Sequence, residues 1–292
     1  MAKIFLIILI FVLVFLGLIG YSWYQVRLQI HRHFITNWQS FPKPTLPYQT
    51  RIFRTSDGFN IYSWYIPVKD PKAVIILVHG EDPDGGKAEM ILISQMLHDA
   101  GYSTLLMETR GVGQSDGNKI TLGVDEWKDL EAAYNDMAAL PENKGVKIGF
   151  LGNSMGGATS IIMTGLTGKG DFIIAIDPYA SFKKVFEFSV KGKGLPVAFF
   201  SPIVRLAATL ELGWNYDRFS PDKLITKIHV PIFITWSSHD ERIGQDEGSY
   251  LFTLANEPKV GWETNFGHDF IFEIGDALNQ KVSDFLNKYV EK

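Results

Sequence analysis

The chain has 292 residues, of which 46% are hydrophobic and 21% are charged, and its formal net charge is −4. This composition excludes a disordered chain, and the length is enough to bury a large core within one or two domains. The absence of cysteine excludes disulfides, thiolate metal sites and cysteine nucleophiles, and the charge balance gives no sign of nucleic-acid binding.

The N-terminal segment is the most apolar part of the sequence. No charged residue lies between Lys3 and Arg27, and residues 4–19 are almost entirely Ile, Leu, Phe and Val. Residues 4–24 are long enough to cross a bilayer as a helix, which takes about 20 residues. We therefore expect a single-pass membrane anchor at residues 1–26. A cleaved signal peptide is the alternative, and the flanking charges do not decide on which side of the membrane the remaining chain lies.

A proline-containing stretch follows the apolar segment. Residues 41–47 read Phe-Pro-Lys-Pro-Thr-Leu-Pro, and this density of proline is typical of a stiff, extended connection. We assign residues 27–47 to a juxtamembrane spacer and residues 48–292 to the folded domain.

Short apolar runs alternate with amphipathic segments through the rest of the chain. The first two runs flank Asp57-Gly58, a pair that is typical of hairpin turns. Strands are predicted at residues 49–55, 60–67, 73–78, 103–107, 146–151, 172–176, 232–236 and 259–263, and helices at residues 87–100, 123–140, 154–166, 245–256 and 269–290. This order predicts the α/β class, with a mostly parallel central sheet and helices on both faces.

Residues 181–216 interrupt the alternation of strands and helices. The segment is long, lies between two predicted strands and is rich in phenylalanine. A helical, lid-like insertion that lines an apolar pocket fits this composition. One long crossover helix with a loop is the alternative.

A glycine-rich turn carries the strongest chemical signal. Residues 152–157 read Gly-Asn-Ser-Met-Gly-Gly, which fits the pattern G-x-S-x-G between a predicted strand and a predicted helix. So tight a turn leaves no room for a Cβ atom at the flanking glycines. It would hold Ser154 in a strained backbone and raise its hydroxyl above the sheet, near a helix N-terminus that favours developing negative charge. Ser154 is therefore the candidate nucleophile.

A serine hydroxyl needs a base and an oriented carboxylate to act at neutral pH. His268 follows the last predicted strand, so it can reach over the carboxyl ends of the strands, and it is the candidate base. Asp240, just after another strand, is the favoured acid, and Asp177 is its competitor. Ser154, Asp240 and His268 follow the chain order expected for a nucleophile on a strand–turn–helix.

An oxyanion formed by attack on a carbonyl needs preorganised donors. We expect them to be the backbone N–H groups of Met155 and Glu81. Glu81 lies in the loop after the strand at residues 73–78, and His79 would pack or hydrogen-bond beneath that loop rather than act as a base. The acidic side chains of that loop would oppose an oxyanion unless they point away or pair with Lys87.

These motifs resemble those of the α/β-hydrolase superfamily, over about residues 48–290. The sequence is most similar to its esterase, lysophospholipase-like and serine-aminopeptidase-like branch. Residues 108–115, Glu-Thr-Arg-Gly-Val-Gly-Gln-Ser, match the family's D-x-R-G-x-G-x-S turn, with Glu108 in place of the usual aspartate. The resemblance implies the α/β-hydrolase fold and makes Ser154, Asp240 and His268 the catalytic triad.

The sequence thus predicts a membrane-anchored serine hydrolase that cleaves an acyl ester of a small molecule or lipid through an acyl-enzyme. No cofactor, metal or nucleic acid is expected to take part. A peptidase or thioesterase with the same triad is an alternative, because the motif does not specify the leaving group. A catalytically silent, membrane-tethered binding protein is a further alternative.

Overall fold

A computed structural model describes residues 1–31, 42–81, 86–268 and 275–291 of the chain. Its strands are β1 (Gln49–Arg54), β2 (Asn60–Ile66), β3 (Val74–Val78), β4 (Ser103–Met107), β5 (Ile148–Asn153), β6 (Ile173–Ile176), β7 (Ile232–Ser237) and β8 (Lys259–Thr264). Its helices are α1 (Ala2–Ile30), α2 (Ile91–Asp99), α3 (Trp127–Ala139), α4 (Met155–Thr167), α5 (Phe182–Gly192), α6 (Val197–Leu212), α7 (Pro221–Leu224), α8 (Glu247–Leu254) and α9 (Gly275–Tyr289).

The strands form one eight-stranded sheet in the order β1-β2-β4-β3-β5-β6-β7-β8. The hairpin of β1 and β2 joins the edge of β4 antiparallel, and all other pairs are parallel. This arrangement confirms the predicted hairpin and the mostly parallel sheet. Because parallel strands point their carboxyl ends to one edge, the loops after β3, β5, β6, β7 and β8 gather there.

Helices cover both faces of the sheet, as predicted. Side chains alternate along β3, so Ile76 packs in one hydrophobic cluster with α3 and α4, while Ile75 packs in another with α2 and α9. The central strands are buried on both faces, which explains their continuous β-branched sequence.

The helices α5 and α6 together form what we call the cap, within the predicted insertion at residues 181–216. A third hydrophobic cluster joins Phe186 of α5 and Leu212 of α6 to Val26 and Ile30 of α1. The cap therefore packs against the C-terminal end of the N-terminal helix as well as against the domain.

The N-terminal helix is longer than the predicted anchor. α1 continues to Ile30, four residues beyond the predicted boundary at residue 26, so the start of the predicted spacer is helical and docked. Residues 32–41 of that spacer lie outside the described residues. The helix is long and apolar enough to cross a membrane, and its most apolar stretch is exposed.

Candidate active site

Ser154 lies in the sharp turn between β5 and α4. Its backbone angles, φ 50° and ψ −115°, are strained for a residue with a side chain. The backbone N–H of Ser154 donates to the carbonyl of Ile176 on the neighbouring strand at 2.7 Å, which helps to hold this conformation. The serine is half-buried at the carboxyl edge of the sheet.

The glycines around Ser154 are required by close backbone approaches. A Cβ atom on Gly152 would lie 2.2 Å from the backbone carbon of Gly156, and one on Gly156 would lie 2.1 Å from the carbonyl oxygen of Val78. Such distances are far shorter than any contact between non-bonded atoms. The steric reason expected from the sequence is therefore present in the fold.

The structure brings Ser154, His268 and Asp240 together from three loops. His268 Nε2 lies 2.8 Å from Ser154 Oγ, and His268 Nδ1 lies 2.6 Å from Asp240 Oδ2. Because a carboxylate accepts, Nδ1 carries the proton and donates to Asp240, and Nε2 is left to accept from the serine hydroxyl. This is the tautomer that a general base for Ser154 needs.

Asp240 is fixed through both carboxylate oxygens. While Oδ2 accepts from His268, Oδ1 accepts from the backbone N–H groups of Arg242 at 2.8 Å and Ile243 at 2.9 Å. Burial opposes ionisation of Asp240, but the hydrogen bond with His268 and those from the backbone prevail and lower its pKa below 3.8. The side chain therefore orders the turn and holds the histidine at the same time.

The competing carboxylate, Asp177, lies beside the same pair. It directly follows β6, has φ 44° and is buried, and ligand atoms of Asp177, Asp240 and His268 all lie within 4.8 Å of one another. These are the groups that the described residues offer to a metal ion. Both ring nitrogens of His268 are engaged by Ser154 and Asp240, so neither is available to a metal while these hydrogen bonds are made.

His79 supports the loop after β3 and is not placed to act as a base. The backbone N–H of Thr109 donates to His79 Nε2 at 3.1 Å, so that nitrogen is an acceptor. The proton is then on Nδ1, which donates to the carbonyl of Gly80 at 2.7 Å. The buried ring is thus neutral and fully used in fixing the chain next to Glu81.

The two expected oxyanion donors follow β5 and β3 at the carboxyl edge of the sheet. Met155 is the first residue of α4, so its N–H is among those that have no acceptor within the helix. Glu81 is described, but residues 82–85 of its loop are outside the described residues. The role of both N–H groups stays a prediction.

Lys87 forms an ion pair with Glu108, a partner that the sequence did not reveal. Its Nζ lies 2.6 Å from Glu108 Oε1 and 4.3 Å from the centre of the Trp64 ring, and both charged side chains are fully buried. Glu108 Oε2 also accepts from the backbone N–H of Gln114 at 2.9 Å. The glutamate in place of the family's aspartate is the feature that could have indicated this pair.

A second missed contact joins α1 to the cap. Glu211 accepts hydrogen bonds from Trp23 Nε1 at 2.8 Å and Arg27 Nη1 at 3.1 Å, and it lies 2.9 Å from His31 Nε2. Burial opposes its ionisation, but these partners lower the pKa of Glu211 below its ordinary value. The spacing of four residues between Trp23, Arg27 and His31 places them on one face of a helix and was the available signal.

Comparisons with known proteins identify the same fold. Residues 69–183 match the family described as serine aminopeptidase, S33. The chain is 26% identical over 206 residues to the uncharacterised protein YqkD of Bacillus subtilis (strain 168). The aligned region covers 70% of this chain and 67% of that protein.

Solved structures share the fold of this chain. The esterase Pf2001 of Pyrococcus furiosus superposes with a TM-score of 0.70 at 22% identity, over 84% of this chain and 92% of that chain. The acylaminoacyl peptidase of Pyrococcus horikoshii superposes with a TM-score of 0.63 at 17% identity, over 85% of this chain and 42% of that chain. The comparisons support an α/β-hydrolase fold for this chain.

Proposed function

We propose that this chain is a membrane-anchored serine hydrolase that cleaves an acyl ester, because residues 69–183 match a serine aminopeptidase family and the chain has the α/β-hydrolase fold. One observation carries the proposal. Two hydrogen bonds link Ser154 Oγ to His268 and His268 to Asp240, in the tautomer that lets the histidine accept the serine proton. The strained turn that presents Ser154 supports the same role.

In the proposed reaction, Ser154 Oγ attacks the ester carbonyl carbon while His268 Nε2 takes the hydroxyl proton. The tetrahedral intermediate collapses when the bond to the leaving alcohol breaks and His268 returns the proton to that oxygen. Water, deprotonated by His268, then attacks the carbonyl carbon of the acyl-enzyme. The bond to Ser154 Oγ breaks as His268 returns the proton to Oγ, which releases the acid and restores the serine. Asp240 holds the ring and stabilises the imidazolium formed in each half-reaction.

The oxyanion of each tetrahedral intermediate would be bound by the N–H groups of Met155 and Glu81. Met155 directly follows the proposed nucleophile, and Glu81 lies in the loop after β3 at the same edge of the sheet. The N-terminus of α4 adds a favourable field for negative charge at this point.

Anchoring by α1 is supported by two features of the helix. Its apolar stretch is exposed to the surroundings, which argues against a core helix. Its last third is bound by the cap through Glu211, and Val26 and Ile30 are buried there. A signal peptide that is discarded has no need of such contacts, so we propose that α1 is retained.

A peptidase is the second candidate function. The family match is to serine aminopeptidases, and the Pyrococcus horikoshii neighbour is an acylaminoacyl peptidase. The same triad attacks esters and amides, so the distinction depends on the leaving group that the pocket accepts. Glu81 would be the candidate to bind a substrate amine.

The test is hydrolysis by the full chain in detergent, measured with p-nitrophenyl esters of increasing acyl length and with aminoacyl p-nitroanilides. We expect ester cleavage that falls to the background rate in Ser154→Ala, and a preferred chain length that reports the size of the acyl pocket. Faster cleavage of the anilides would favour the peptidase. Cleavage of neither class by folded protein would favour a binding protein.

A further inference from the structure

The outward face of the cap helix α6 is apolar along its whole length. Phe199, Pro202, Leu206 and Leu210 recur at intervals of three and four residues and are exposed, and Trp214 lies two residues after the end of the helix. Phe199 is 56% exposed, Leu210 61% and Trp214 77%. At 1.5 Å per residue this row, which we call the cap stripe, is about 20 Å long.

An ordinary surface helix of the same chain looks different. The outward face of α9 is formed by polar and charged residues: Asp276, Gln280, Lys281, Asp284 and Lys288. The cap stripe contains no charged residue. A contiguous exposed apolar row of this kind marks a surface that contacts something other than water.

The position of α6 against α1 indicates which environment the cap stripe contacts. Leu18 and Tyr21 of α1 line one cavity together with Phe200 and Val204 of α6. Farther along, Glu211 of α6 binds Trp23 and its neighbours on α1. The first half of α6 therefore lies beside the apolar segment of α1 at residues 4–24. At 1.5 Å per residue, the length of that segment matches the roughly 30 Å thickness of a bilayer core.

The charges next to the stripe fit the same placement. Lys191 and Lys193 are exposed at the end of α5, and Lys193 Nζ donates to Gln25 Oε1 of α1 at 3.4 Å. Gln25 follows the apolar segment immediately, so these lysines lie where headgroups would be. Lysines there are attracted to anionic lipids.

From these contacts we infer that the first half of the cap stripe, from Phe199 to Leu206, is immersed in the lipid bilayer beside α1, so that the protein acts on membrane-dissolved acyl esters. The inference rests on the proposed anchoring by α1. The cavity between α1 and the cap is also lined by Leu122, which packs against the hydrophobic cluster that contains Met155, next to Ser154. The wall of this cavity at Leu122 therefore lies against the cluster next to the proposed nucleophile.

The test uses spin labels, which the absence of natural cysteine makes straightforward. Full-length Phe199→Cys and Leu206→Cys are labelled separately with a nitroxide and reconstituted in vesicles of phosphatidylcholine and phosphatidylglycerol. Collision with oxygen, which concentrates in the bilayer, is compared with collision with a water-soluble nickel chelate. Leu13→Cys reports on the anchor, and Leu92→Cys on α2 is the matched control, since Leu92 is apolar and 75% exposed.

We expect the ratio of oxygen to nickel accessibility at positions 199, 206 and 13 to exceed that at position 92 several-fold. A ratio at 199 or 206 equal to that at 92, with a high ratio at 13, would overturn the inference and leave the anchor standing. A low ratio at 13 would overturn both. Protection from both reagents with spin–spin broadening would mean that a second copy covers the stripe, which would also overturn the inference.

Discussion

The backbone carbonyl oxygen of Ile30, at the end of α1, accepts a hydrogen bond of 2.9 Å from the N–H of Ile120. Ile120 belongs to the small hydrophobic cluster that contains Met155, next to the proposed nucleophile. The N-terminal helix is therefore joined to the loop behind the candidate active site, in addition to its contacts with the cap. Its last turn is part of the folded domain.

This contact predicts that two chains shortened at the N-terminus differ in stability and in activity. A chain that begins at Ser22 keeps the docked turns of α1, whereas a chain that begins at Pro44 loses Val26 and Ile30, each of which contributes about 1.5–3 kcal/mol by burial. We expect the shorter chain to have a free energy of unfolding in urea lower by about 3 kcal/mol or more, and reduced esterase activity. Equal stability of the two chains would show that the docking contributes nothing.

We expect Asp240 and Asp177 to contribute unequally to the rate of catalysis. Asp240→Asn removes the charge that fixes the tautomer of His268 and should lower kcat by on the order of 10⁴, as in other triads. Asp177→Asn keeps a residue that tolerates the positive φ of this position and should retain activity within about tenfold. Ester kinetics of both variants provide the measurement. The opposite ranking would make Asp177 the orienting acid.

The buried pair of Lys87 and Glu108 predicts a pH-dependent defect. Glu108→Gln leaves an uncompensated buried ammonium and should cost about 3–5 kcal/mol of folding free energy at pH 7. Burial lowers the pKa of Lys87 below 10.5, and Glu108 opposes that shift, so the variant lowers the pKa further. The unfolded state then binds more protons than the folded state, and the stability of the variant rises with pH.

Urea unfolding of Glu108→Gln between pH 7 and pH 10 checks this prediction. The deficit relative to the wild type should shrink toward pH 10, because Lys87 can then fold in its neutral form. In the double variant Glu108→Gln with Lys87→Met neither charge of this pair remains, so much of the lost stability should return. A deficit that is the same at every pH would mean that the charge of Lys87 is not its cause.

The glycines of the turn should not tolerate a single methyl group. Gly156→Ala would place Cβ 2.1 Å from the carbonyl oxygen of Val78, between backbone segments that cannot move apart cheaply. We expect no folded protein, as judged by thermal unfolding and proteolysis. Gly192→Ala, at a helix position with nothing within 4 Å of the added atom, is the matched control and should fold normally.

Local sequence predicted the sheet and the turn that holds Ser154 well, because in both places the surroundings restrict which residues fit. Strands buried on two faces leave continuous apolar runs such as β3, and a turn without room for Cβ leaves glycines. Helix starts were less accurate. The helix predicted from residue 123 begins at Trp127, because the side chain of Glu126 accepts from the backbone N–H groups of Thr121 and Gly123 and holds a turn there.

The contacts that the sequence did not reveal join distant segments. The pairing of Lys87 with Glu108 and the docking of α1 on Glu211 depend on how the sheet and the cap bring those segments together. The sequence favoured Asp240 as the acid but left Asp177 as a competitor, because the two residues follow adjacent parallel strands. The structure separates them by the 2.6 Å hydrogen bond from His268 to Asp240.

The central claim is that Ser154 is an activated nucleophile, and covalent labelling tests it most directly. The full-length protein is treated with a fluorophosphonate probe, and the modified residue is located by peptide mass spectrometry, beside Ser154→Ala and the matched variant Ser160→Ala one to two turns along α4. The account predicts labelling of Ser154 alone, lost in Ser154→Ala and kept in Ser160→Ala. A folded wild-type protein that is not labelled, or is labelled equally in Ser154→Ala, would contradict it.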